Sequence, residues 1–231
     1  MRLSLGQPLS WTFLLLLVSN LLLWENADSM AVCPSGEGYC QETLPGMFED
    51  ALTVSDYLKN QTAELLNAFR DDVNYASGRW YHEEASVMGC HTTEMGILLT
   101  PEEIAQTEAV LLLKEILTVL EAWKDPLLQA TNKLNSMEDT PTAVVSIAEV
   151  VKAKINLLQE GIVRILKKIS PVSQETVDIP VWKGLASLNS DDEDTRVFTF
   201  YNLFRCLKRD GSKIDYDLKH LKCQIVQDAD C

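Results

Sequence analysis

Six cysteines and three histidines are the side chains of this 231-residue chain best suited to redox or metal chemistry. Cys33 and Cys40 are close together, Cys90 and Cys206 stand far apart, and Cys223 and Cys231 are close again. A structural zinc site needs thiolates and imidazoles at short, regular spacing. No C-x-x-C occurs, and His82, His91 and His220 form no H-x3–5-H pair, so no metal site is expected. Nor is an enzyme: there is no G-x-S-x-G elbow, Gly-rich phosphate loop or H-E-x-x-H. His82-Glu83-Glu84 places carboxylates beside an imidazole but defines no nucleophile and base. The cysteines therefore read as a disulfide framework, and no cofactor is implied. Spacing alone leaves the pairing open. Joining sequence neighbours at the two ends would close two small loops, and Cys90 with Cys206 would then tie distant parts of the chain.

An oxidising destination has its own signal. Arg2 precedes the apolar run Phe13-Leu14-Leu15-Leu16-Leu17-Val18, which continues to Leu21-Leu22-Leu23-Trp24. Ser19 and Asn20 interrupt it, so it is short for a bilayer span of roughly 20 apolar residues. Ala27 and Ser29 fit a cleavage site, which predicts a signal peptide over 1–29 and a mature, secreted chain from Met30. No later run approaches spanning length, so no membrane insertion is expected once the signal is removed. Residues 30–231 suit one domain. The formal net charge is −14; the leader removes one positive and two negative charges, leaving −13. That balance argues against general nucleic-acid binding, which needs a basic footprint.

The elements that must position these cysteines are helical. Phe48, Leu52, Ser55, Leu58, Thr62, Leu65 and Phe69 step by three and four, after Thr43 and Pro45 at a helix start. A second helix is expected to open at Thr100-Pro101-Glu102-Glu103, bury Leu113, Ile116, Leu117, Leu120 and Trp123, and be interrupted or kinked at Pro126. A third carries Val144, Ile147, Val151, Ile155, Leu158, Ile162, Ile165 and Ile169, with Asp139 or Thr140 and Pro141 at its start. A fourth runs from about Asp192 to Gln224, its acidic opening Asp191-Asp192-Glu193-Asp194 suited to the positive helix end. The connections 75–99 and 170–190 are long, and the one between the second and third helices is about a dozen residues. Strands find no support. The expectation is all-α, a four-helix up-up-down-down bundle with two long crossovers. In such a bundle Cys90 can reach Cys206.

Several stretches together resemble the growth hormone/prolactin family of cytokine-fold hormones. They are the three-part cysteine pattern, Thr100-Pro101-Glu102-Glu103, Trp123-Lys124-Asp125-Pro126 and Pro180-Val181-Trp182-Lys183-Gly184-Leu185. Tyr201-Asn202-Leu203-Phe204-Arg205-Cys206-Leu207-Lys208-Arg209-Asp210 joins them, continuing to Lys222-Cys223. The resemblance implies three disulfides, Cys33–Cys40, Cys90–Cys206 and Cys223–Cys231, and the first small loop marks the prolactin branch. It implies a monomeric hormone that bridges two copies of a single-pass, prolactin-receptor-like cytokine receptor through its ectodomain. Carried over residue by residue, the first receptor site falls on Tyr201, Arg205, Lys208, Arg209, Lys213 and Asp215, with Asp56 and Lys59. The second falls at Gly161, between the first and third helices.

The residues bear on that implication in their own right. Between 205 and 222 stand six bases (Arg205, Lys208, Arg209, Lys213, Lys219, Lys222) against Asp210, Asp215 and Asp217. Such a stretch steers an acidic partner or is a solvated helix face. It also supports an alternative: a hormone-fold protein that does not engage the prolactin receptor and binds matrix glycosaminoglycan or another receptor. Gly161 costs roughly 0.8–1.0 kcal/mol against Ala inside a helix. Lactogenic relatives place zinc-binding histidines at the positions of Asp56, Lys59 and Ser212, so the resemblance is closer to a placental prolactin-like protein. Gly211 beside Ser212 is expected to loosen the helix. Asn60-Gln61-Thr62 is a sequon for an N-linked glycan.

Overall fold

The computed structural model describes residues 42–71, 89–95, 100–138, 140–170, 179 and 182–226. The expected leader 1–29, Met30, Cys33, Cys40, His82, Asp139 and Cys231 lie outside them. Among the described residues there is no strand, and the helices are α1 (Leu44–Asp71), α2 (Pro101–Gln106), α3 (Ala109–Ser136), α4 (Thr142–Ile169), α5 (Leu185–Leu188) and α6 (Glu193–Val226). Among the described residues of the first long connection, His91–Met95 forms a 3₁₀ turn.

Local chemistry sets most of these boundaries. Thr43 opens α1 as expected: its Oγ1 accepts from the Gly46 N–H at 3.3 Å and its carbonyl from the Met47 N–H at 3.0 Å. Asp192 opens α6, its Oδ2 accepting from the Thr195 N–H at 2.9 Å, and the Thr195 hydroxyl and N–H hold that carboxyl below its ordinary pKa. At Thr100 a reciprocal capping box forms with Glu103. That helix stops after six residues, where the sequence pattern predicts one continuous helix. The break falls at Thr107, whose backbone turns extended and whose N–H bonds the Ile104 carbonyl at 3.1 Å, while its Oγ1 donates to the Glu103 carbonyl at 2.7 Å. The long helix then starts afresh at Ala109. Pro141, not Thr140, is the cap residue of α4, and it offers no side-chain bond.

Pro126 neither ends nor interrupts α3, which runs on to Ser136, so 137–141 is a short link instead of the dozen residues expected. A proline inside a helix lacks the N–H that would bond the carbonyl four residues back. Here that carbonyl belongs to Ala122, and the ring of His91 fills the gap: Nε2 lies 3.1 Å from the Ala122 oxygen. A carbonyl only accepts, so Nε2 carries the proton. The same imidazole packs edge-on against Trp123, centroids 4.7 Å apart. The turn from the first connection thereby supplies the donor that the helix sequence omits.

α1 packs against α4 and α6, and α3 packs against the same two. Glu49 meets Lys222, Ser55 meets Asp215, and Phe69 stacks among Phe200 and Phe204 at 6.0 and 5.2 Å. Across α3 and α4, Glu121 meets Gln159 and Asn135 meets Glu149. The predicted stripes form the core: Phe48, Leu58, Leu65, Trp123, Val144, Val151, Ile155, Ile162, Phe204 and Leu218 are all buried. Leu52, Leu117, Ile147 and Ile169 of those stripes are half-buried at its edge.

Gly211 does not loosen α6, which is continuous across it. It is buried, and a Cβ there would sit 3.0 Å from Thr62 Oγ1 and 3.8 Å from the Lys59 Cα. The missing side chain is what lets α1 approach α6 this closely. Cys90 and Cys206 are disulfide-bonded as the resemblance implied, tying the turn to α6 across 116 residues. Closing a loop of that length contributes about 4–5 kcal/mol in the chain-entropy model.

The proline gap predicts coupling between His91 and Pro126. His91→Phe keeps the ring contact but strands the Ala122 carbonyl, costing about 1–2 kcal/mol in urea unfolding. In a Pro126→Ala background, where residue 126 supplies its own N–H, the same change costs less than half as much. Equal costs in both backgrounds would contradict the assignment.

Candidate functional site

Of the residues expected at the first receptor site, Asp56, Lys59 and Asp215 meet in one polar cluster, Arg209 belongs to a second with Arg205 alongside, and Lys213 instead pairs with Asp217 toward α3. The first cluster lies on the α1–α6 seam. Asp215 is buried; its Oδ1 accepts from Ser55 Oγ at 3.0 Å, and its Oδ2 from Lys59 and Lys219 at 2.9 and 2.8 Å. Lys59 also reaches Asp56 at 2.5 Å, and Lys219 stands 3.8 Å from the same carboxylate. Burial raises the Asp215 carboxyl, but hydrogen bonds from Lys219, Lys59 and Ser55 outweigh it and hold the group below its ordinary value. The hydrogen bond from Lys59 lowers Asp56, and the bonds from Asp56 and Asp215 raise Lys59 well above its ordinary value. Two ammoniums and two carboxylates thus neutralise each other where a zinc-type site would need imidazoles. Exposed Asn60 joins the rim, donating from Nδ2 to Asp56 at 3.2 Å.

The second cluster has no counterpart in the sequence pattern. Asp210 is 1% exposed. Its Oδ2 accepts from the Trp123 indole at 2.9 Å and the Thr92 hydroxyl at 2.7 Å, and its Oδ1 from Arg209 Nε at 2.8 Å. Arg209 continues to Thr92 and Thr93, Nη2 and Nη1 each at 2.7 Å from a hydroxyl oxygen. One carboxylate thus joins α3, α6 and the turn. Arg205 lies alongside, its Nη2 donating to Asn202 at 3.1 Å and standing 3.9 Å from both sulfurs of Cys90–Cys206. Two of the resembled stretches each contain half of this node, Trp123 and Arg209-Asp210. Nothing in their spacing links them, because Trp123 and Asp210 meet only where α3 packs against α6.

The charge census of α6 changes accordingly. All three acids of the stretch 205–222 are buried and serve its bases. Lys213 grips Asp217 at 2.6 Å, and Lys222 reaches back to Glu49 at 2.5 Å. Lys208 is exposed, with no carboxylate partner among the described residues, and Tyr201 is half-buried. Exposed Ser212 turns its hydroxyl back to the Lys208 carbonyl at 3.0 Å. A free basic face for a polyanion is therefore mostly absent from this part of α6.

Gly161 lies on α4, away from both clusters. A Cβ built there meets nothing within 4 Å, so its absence has no packing role inside the molecule. Lys154 and Leu157 precede it at helical spacing, Leu157 is exposed, and the Lys154 ammonium lies 5.0 Å over the exposed Tyr57 ring of α1. α4 thus carries an opening at Gly161 with exposed Leu157 one turn before it, while Tyr57 lies by Lys154.

A family model described as the somatotropin hormone family matches residues 16–231. The chain belongs to that family. Mouse Prolactin-6A1 is 38% identical over 230 residues, spanning 99% of this chain and all of the relative. Somatotropin-family members are hormones, and this chain is a hormone of that family and not an enzyme. No helix among the described residues is long and apolar enough to cross a membrane. Cys223, on α6, is also disulfide-bonded.

A small cleft between α3 and α6 gives a pH-dependent prediction. Glu115, Lys213 and Asp217 line it, and Glu115 Oε2 is buried without a hydrogen-bond partner. Burial pushes both carboxyls up, with Lys213 opposing. A raised carboxyl binds its proton more tightly folded than unfolded, so its penalty is largest at neutral pH and disappears in acid. Glu115→Gln is therefore expected to raise the urea midpoint at pH 7, and the gain should shrink to nothing toward about pH 4. A gain independent of pH would show that the charge of Glu115 is not what costs stability.

Proposed function

We propose that the mature chain, freed of residues 1–29, is a secreted, monomeric hormone that acts on a prolactin-receptor-like cytokine receptor, bringing two ectodomains together. An up-up-down-down course is part of this reading. It is supported by contacts that run in opposite senses between α1 and α6 (Glu49–Lys222 with Phe69–Phe200) and also between α3 and α6 (Trp123–Asp210, with Glu115 and Asp217 on one cleft), so that α1 and α3 run the same way, while Glu121–Gln159 with Asn135–Glu149 set α4 against α3. The small loops Cys33–Cys40 and Cys223–Cys231, a glycan on Asn60 and a placental source belong to it as well.

The observation that carries the reading is the opening at Gly161. A mid-helix glycine costs stability and survives in a fold for a reason. For Gly211 that reason is internal, the close approach of α1. For Gly161 nothing inside the molecule supplies one, and exposed Leu157, one turn before it on α4, is an apolar side chain of the kind that a protein partner covers. The first receptor surface would centre on Tyr201, Arg205 and exposed Lys208, with Asp56 and Lys59 on its α1 side. Asp215 holds Lys59 and Lys219 in place there and does not itself face solvent. Self-pairing along α6 weighs against glycosaminoglycan as the main partner.

Light scattering of the secreted chain mixed with prolactin-receptor ectodomain tests the proposal. The unmodified hormone is expected to hold two receptors, and Gly161→Arg to hold one with the first affinity unchanged. Two receptors on Gly161→Arg, or none on the unmodified hormone, would contradict it.

A further inference from the structure

Arg209 stands beside the proposed first receptor surface with its side chain 34% exposed, yet Nε, Nη1 and Nη2 are each already engaged. Nε and Nη2 engage the buried carboxylate of Asp210, while Nη1 and Nη2 reach the hydroxyls of Thr93 and Thr92. Thr92 is itself buried and completes the triangle by donating to Asp210. Among the described residues the turn is also held by the disulfide at Cys90 and by His91 against α3. A partner that covers Arg205 and Lys208 on α6 also meets this turn, because Arg205 lies against the disulfide from which the turn departs.

We infer that Arg209 and Asp210 are a positioning pair: they fix the turn His91–Met95 against α6, and so shape the receptor-facing surface without contacting the receptor as charges. The geometry favours this over a direct contact. A guanidinium engaged by a buried carboxylate and two hydroxyls must give up those bonds to meet a new partner, and the carboxylate left behind has no water to replace it. The same logic makes Thr92 part of the device, since its one hydroxyl bridges Arg209 and Asp210. This inference rests on the receptor reading above for its functional half, whereas its structural half stands by itself.

Two measurements on the secreted chain test it. The first is dissociation from immobilised prolactin-receptor ectodomain. Thr92→Val, which keeps the shape and loses the hydroxyl, is expected to speed dissociation about tenfold, whereas Thr92→Ser leaves it near the original value. Arg209→Ala is expected to have a similar effect, and the double variant Thr92→Val with Arg209→Ala should be no worse than either alone. Additive losses would mean that Arg209 meets the receptor directly and would overturn the inference. The second measurement needs no receptor: the indole N–H resonance of Trp123, assigned through Trp123→Phe. It should move in Thr92→Val and in Arg209→Ala, which alter the carboxylate it bonds, and stay in place in Lys208→Ala. An unmoved resonance in the first two overturns the positioning role. A chain that fails to bind the ectodomain overturns the receptor reading, and the resonance then decides the structural half.

Discussion

Asp210 places a carboxylate almost entirely out of water, and three different parts of the chain are arranged to satisfy it. Left unpaired, such a charge would cost several kcal/mol, so the fold is committed to keeping its donors in place. The indole of Trp123 comes from α3, the hydroxyl of Thr92 from the first connection and the guanidinium of Arg209 from the neighbouring position of α6. The covalent tie Cys90–Cys206 brings the turn to α6, but a disulfide fixes a distance, not an orientation. Orientation comes from the polar node on one side and from His91 in the proline gap on the other.

The same economy governs the outer charges of α6. An acidic protein with a basic helix suggests a surface that searches for an anion. In the folded chain those bases look inward and sideways instead, to Asp210, Asp215, Asp217 and Glu49. What remains for a partner is more selective: exposed Lys208, the half-buried Tyr201 and Arg205, and on α4 the opening at Gly161 with exposed Leu157 one turn before it. Recognition built on shape and a few side chains suits one protein partner better than a polyanion, whose binding depends on many unpaired cations.

Much of the frame is legible in the order of residues alone. Core positions of α1 and α4 follow from three-and-four spacing, Thr43 and Asp192 from capping chemistry, and Cys90–Cys206 from the family resemblance. Three features that residue order does not convey share one cause. The continuity of α3 through Pro126, the buried state of Asp210, Asp215 and Asp217, and the role of Gly211 all depend on what a distant segment places opposite. Pro126 is a breaker until His91 donates to Ala122. A row of alternating charges reads as solvated until neighbouring helices pack over one sign of it. Gly211 reads as a weak point until α1 lies within contact of its Cα.

Native-state hydrogen exchange at low, rising denaturant tests the central claim that the turn, α3 and α6 form one clasped unit. The amide of Thr93, bonded to the Cys90 carbonyl, is expected to share a single opening free energy with the amides of Leu127 and Ile214, all merging at global unfolding. If Thr93 instead exchanges through a separate low-energy opening while α3 and α6 stay protected, the turn is an ornament of the bundle and not its clasp.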